Sequence, residues 1–115
     1  MKKFIVIYHA PKDAMEQAAS ATPEEMKAGM EPWFGWKKMV EEKGGKVDIG
    51  NPLGNGTAVT KNGTSPSQKE VVGYSIVEAN SMDEAVEYLK SHPHLQWVDG
   101  CSIEVHESLP LPGME

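Results

Sequence analysis

Apolar and polar positions alternate or cycle in several stretches of the chain, and each stretch predicts an element. Phe4-Ile5-Val6-Ile7-Tyr8 is a short β-branched and aromatic run closed by Pro11, the pattern of a strand. Its alternating sets, Phe4, Val6, Tyr8 and Ile5, Ile7, His9, are both largely apolar, so this strand should be covered on both sides. Asp13 to Ser20 is small and polar and reads as a loop or loose helical turn. Thr22-Pro23-Glu24-Glu25 then has the form of a capping box, with Thr22 as cap and Pro23 at the first helical position. Met26, Met30, Trp33, Trp36 and Val40 follow at helical spacing as far as Gly44-Gly45. Pro32 falls inside this helix, where a missing backbone bond costs about 3 kcal/mol, so a kink or break is expected near residues 29–32.

Val47 and Ile49 alternate within a third segment, Lys46 to Leu53, which ends at an Asn55-Gly56 turn. Thr57 to Thr60 is a short extended piece, and the polar stretch Lys61 to Lys69, with Asn62-Gly63, reads as a mobile hairpin tip. Val71 to Ala79 is the next strand, with Gly73 as a bulge or point of close approach. Ser81-Met82-Asp83-Glu84 is a second capping box, opening a helix with Met82, Ala85, Val86 and Leu89 on one face and ending before Pro93. Cys101, Ile103 and Val105 alternate with Ser102, Glu104 and His106 in a last strand. Residues 1–108 form one expected domain, and the proline-containing tail 109–115 lies outside the sheet.

This order is the ferredoxin-like split βαβ pattern of an α+β fold. Two right-handed crossovers put both helices on one face of a four-stranded antiparallel sheet. The other face is then bare, although the first strand is apolar on both sides and the third sets Tyr74 and Ile76 opposite Val71 and Val77. A homodimer closed by two-fold symmetry, sheet against sheet, is the expected cover, giving a dimeric α+β barrel.

Composition narrows the partners. The chain has 115 residues and a net charge of −6 at pH 7, and every basic residue is lysine. Without arginine to read base edges or grip phosphate, an acidic chain is not expected to bind nucleic acid, and the same sign of charge disfavours anionic membranes. The apolar run Phe4 to Tyr8 is too short for a signal peptide or a membrane span. Cys101 is the only cysteine, which excludes an internal disulfide and suits a reducing, cytoplasmic location.

Chemistry rests mainly on four histidines, since imidazole exchanges protons near neutrality. His94 and His106 are the expected proton carriers with Asp99 as an orienting group, and His92 and His9 stand behind them. His92-Pro93-His94 resembles a metal-ligand pair, but it falls at a helix terminus and needs a third ligand from His9, His106, Glu104 or Asp99, so no metal is expected. The plainer reading makes His92 an imidazolium at the helix C-terminus and packs His94 near Trp97. Tyr8, Trp33, Trp36 and Trp97 offer walls for a planar or aromatic small molecule, or else ordinary core packing. Trp33, Phe34 and Trp36 cannot all face one core, because successive helical residues turn by about 100°. There is no phosphate-binding glycine turn and no nucleophile elbow.

Several of these segments together resemble the YCII-related family: the strand Phe4 to Tyr8, Pro23-Glu24-Glu25-Met26, the helix bearing Trp33, Lys69-Glu70-Val71-Val72-Gly73-Tyr74, Ser81-Met82-Asp83-Glu84-Ala85 and Ile103-Glu104-Val105. The resemblance spans residues 1–107 and implies a dimeric α+β barrel. It also implies catalysis by a His and Asp pair, and one relative of that family is a dehydrochlorinase acting on a chlorinated hydroxyquinone. The family's histidine lies on the first helix, where this chain carries Trp33 and no histidine between Met30 and Trp36. Its Asp-Gly-Pro-Phe run is replaced here by Ser65-Pro66-Ser67-Gln68. The expected activity is therefore acid–base chemistry (elimination, hydrolysis or isomerisation) without a cofactor, on a small apolar or aromatic molecule. The alternatives are a non-catalytic dimeric binding module and, third, a haem or metal binder.

Overall fold

The computed structural model describes residues 1–67 and 69–113, without the side chains of Met15 and Ala19. Four strands, β1 (Lys2–His9), β2 (Lys46–Pro52), β5 (Val71–Ala79) and β6 (Ser102–Glu107), pair antiparallel in the order β2-β5-β1-β6. This arrangement is compatible with the ferredoxin-like α+β fold. The long connections carry the helices α1 (Lys12–Ala19), α2 (Pro23–Glu42) and α3 (Met82–Lys90), and a 3-10 turn, Pro93–Gln96, precedes β6. A separate hairpin, β3 (Thr57–Thr60) with β4 (Gly63–Pro66), interrupts the path from β2 to β5. No described helix is long and apolar enough to cross a membrane.

The strand alternation sorts the sheet into two faces. Phe4, Val6 and Tyr8 lie opposite Val77, Ser75 and Gly73, and this set is buried beneath α2 and α3 through Trp36, Val40, Ala85, Tyr88 and Leu89. Ile5 and Ile7 pair with Ile76 and Tyr74 on the other face, which no helix covers and where all four remain half-exposed. His9, Glu104 and His106 share this open face, since β6 pairs Ser102 with His9, Glu104 with Ile7 and His106 with Ile5.

The helix starts follow their capping signals. Thr22 accepts the Glu25 amide at 3.1 Å while Glu25 accepts the Thr22 amide at 3.3 Å, a complete box. At α3 the box is modified: Ser81 accepts the Glu84 amide, but Glu84 reaches one residue further back, to the Asn80 amide. Three expectations are corrected. Residues 12–19 form a helix, not a loop, with Ala14 buried. Within Lys61 to Lys69, Gly63–Pro66 is strand β4, and only Lys61 and Asn62 form the turn; Gln68 lies outside the described residues. The helix α2 runs unbroken through Pro32, because Pro32 and Ala28 are both exposed and water can satisfy the Ala28 carbonyl that loses its donor. The tail is exposed from Leu109 to Gly113, and residues 114 and 115 lie outside the described residues.

Candidate functional site

A cavity of about 480 Å³ opens between α2 and the end of the sheet where β2 meets β5. Tyr8, Trp33, Trp97 and His94 line it together with β2 residues Ile49 to Pro52 and with Val72 to Tyr74 of β5. Its shape depends on a bulge in β2 between Asp48 and Asn51. Gly50 sits in that bulge at φ +72, and a Cβ there would lie 1.9 Å from the Tyr74 carbonyl oxygen, so no other residue fits. The Asp48 carboxylate accepts the Gly50 amide at 3.0 Å and holds the bend.

Aromatic rings fill the space behind the cavity. Trp33 meets Tyr8 edge-on at 4.8 Å between centroids and His92 at 4.4 Å. Trp36, 4 % exposed, stands one helical turn further in, 4.4 Å from the His92 ring. Its indole N–H donates to the Tyr88 carbonyl at 2.7 Å, satisfying an oxygen in the last turn of α3. Trp36 is thus core and not a cavity wall, whereas Phe34 on the same helix is 55 % exposed, the aromatic that the crowded α2 pattern had to expel.

The two histidines around Pro93 are both buried, His92 completely. His92 caps the 3-10 turn: its Nδ1 accepts the His94 backbone N–H at 2.9 Å. The expectation of an imidazolium at the end of α3 is overturned, since desolvation, helped by the neighbouring His94, pushes its pKa down to about 3. The accepting Nδ1 leaves the proton on Nε2, which donates to the Tyr8 hydroxyl at 3.1 Å. Tyr8 in turn donates to Ser75 Oγ at 2.8 Å, and Ser75 donates to the Ile49 carbonyl at 2.7 Å. Burial raises the Tyr8 hydroxyl to about 12, with Ser75 opposing, so it stays protonated.

His94 donates Nε2–H to the His9 carbonyl at 2.8 Å, because a carbonyl only accepts. Its lone pair is therefore on Nδ1. Burial lowers its pKa, partly offset by the His9 and Ser102 backbone and lowered further by His9. The ring is consequently neutral at pH 7, a lone-pair acceptor in an apolar wall, 6.1 Å from Trp97.

The other expected site residues lie elsewhere. His106 is on the open face of the sheet, exposed, with Nε2 3.4 Å from Glu104. Asp99 is exposed between the 3-10 turn and β6, and no hydrogen bond or ion pair joins it to a histidine among the described residues. His94, His106 and Asp99 are therefore not one constellation, a separation that the alternation in β6 already implies by placing His106 opposite Ile103 and Val105. His9 Nε2 is buried without a hydrogen bond; the Glu104 carboxylate is 3.4 Å away, near enough for an ion pair but not aligned. The rings of His106 and His9 hold the Glu104 carboxyl below its ordinary range. No group of three or more metal-ligating side chains is gathered among the described residues. Ser75 and Gly50 entered no sequence-based site: a serine within an apolar strand and a glycine in an Ile-Gly-Asn run carry no motif. Neither a protein-family model nor a curated protein matches the chain.

Proposed function

We propose that this chain is a cytoplasmic protein resembling the YCII-related family that binds a small, uncharged, planar apolar or aromatic molecule in the cavity. His94 serves there as general base for cofactor-independent proton transfer, elimination, hydrolysis or isomerisation. The observation that carries this reading is the make-up of the wall. Apart from two tyrosines, His94 is the only titratable side chain lining the cavity among the described residues, and none of those lining it is Lys, Asp or Glu. An ionic ligand would lose its hydration without gaining a partner, whereas a neutral aromatic one meets Trp33, Trp97 and Tyr8. A buried imidazole kept neutral offers its lone pair to the proton of such a ligand.

The functional unit is a homodimer, a reading supported by the contiguous Ile5, Ile7, Tyr74 and Ile76 on the uncovered face. Light scattering at micromolar concentration is expected to give twice the chain mass, and a monomer mass rejects this part of the reading. The cavity is tested with 4-nitrophenol, an aromatic acid whose ionised form absorbs visibly. Saturable quenching of tryptophan fluorescence is expected at a pH where the probe is neutral, and His94→Ala, which removes the acceptor for its hydroxyl proton, should weaken it. No saturable quenching at millimolar probe rejects the site, and binding indifferent to His94→Ala favours a non-catalytic binding module.

A further inference from the structure

The hydrogen bonds behind the cavity run in one direction, because both of their ends are fixed. The Ile49 carbonyl can only accept, so the Ser75 proton points to it; Ser75 then accepts from Tyr8, and Tyr8 from His92 Nε2–H. At the other end the His94 backbone N–H can only donate, so His92 Nδ1 must carry a lone pair. Reversing any link would set two protons against each other at the His94 amide or leave the Ile49 carbonyl without its donor. The chain of bonds thus reaches from a β2 residue that lines the cavity, through β5 and β1, to the turn that bears His94.

We propose that His92 is the positioning residue of the cavity base: Ile49, Ser75 and Tyr8 impose its Nε2–H tautomer, and its Nδ1 anchors the turn so that His94 meets the His9 carbonyl through Nε2–H and keeps Nδ1 for the ligand. This rests on the reading of His94 as the cavity base. His92 never touches the ligand; it acts through the backbone of its neighbour. It follows that Ser75, on the strand next to β1, favours through Tyr8 the same His92 tautomer that the His94 amide requires.

The test is the tautomeric state of both rings in the full chain, read by long-range proton–nitrogen correlation near pH 7 without ligand. In the unaltered protein both rings are expected as neutral Nε2–H forms. Ser75→Ala removes the acceptor that turns the Tyr8 proton away from His92, so the Nε2–H preference of His92, still held by the His94 amide, should weaken, and His94 should lose preference by about fivefold, the worth of one net hydrogen bond. His92→Leu should cause the same loss at His94, whereas His92→Asn, whose side-chain oxygen also caps a turn, should restore it. A His94 ring that keeps its Nε2–H form in Ser75→Ala and in His92→Leu overturns the proposal; if His92→Leu does not fold, Ser75→Ala and His92→Asn decide it. Since no ligand is involved, that failure counts against the relay alone, while failure of 4-nitrophenol to bind counts against the cavity.

Discussion

The two faces of the sheet hold two histidines each, and the same side chain behaves differently on them. Under the helices, His92 and His94 are buried, neutral and tied to fixed partners. On the open face, His9 and His106 flank one exposed carboxylate, Glu104, at 3.4 Å. Between Phe4 and His9 the chain merely alternates, so what separates these environments is which parity of a strand the helices cover. Burial makes the imidazole a directional hydrogen-bonding part, whereas His106 stands exposed beside its carboxylate.

The contrast can be broken most severely at Gly50. Gly50→Ala is expected to destabilise the protein by about 3 kcal/mol or more in urea unfolding, since the Cβ meets the Tyr74 carbonyl and φ is positive. His92→Ala should cost about 3 kcal/mol, because it opens a void between Trp33 and Trp36 and strands the Tyr8 and His94 groups it served. Ser75→Ala should cost about 1–2 kcal/mol. His106→Ala, on the open face, should leave both the unfolding midpoint and 4-nitrophenol binding unchanged.

Acid sharpens the same contrast. The folded pKa of His92, about 3, lies below its ordinary 6.5, so between these values the unfolded chain binds a proton that the folded chain refuses. Stability is therefore complete above pH 6.5 and declines as pH falls through this window, by about 1.4 kcal/mol per unit for this one group. His94 acts in the same direction. The slope of unfolding free energy against pH is expected to flatten in His92→Asn.

The alternation of Phe4 to His9, the cap at Thr22 and the Gly73 bulge were all readable without coordinates, because each depends on local stereochemistry. The aromatic and basic wall was readable too, in Tyr8, Trp33, Trp97 and His94, since large side chains at element ends have few places to go. Trp36 was misplaced because one helical turn separates wall from core, and a spacing of three residues does not say which neighbour covers which ring. His106 and Asp99 stand apart from His94 for a different reason: strand parity turns His106 to the open face, and a residue's type does not disclose the parity the helices cover. The relay was invisible, as it depends on Ser75 and Ile49 lying across strands whose register is set by a bulge.

The β3–β4 hairpin turns at Lys61 and Asn62, which are exposed, and its base meets the cavity at Gly54 and Asn55. A fluorophore or a second protein spliced in at that tip would burden none of the packed interior, because loop tips of this kind accept insertions. The arm is thus a ready handle for building a sensor, with its reporter at one end and the occupancy of the cavity read at the other.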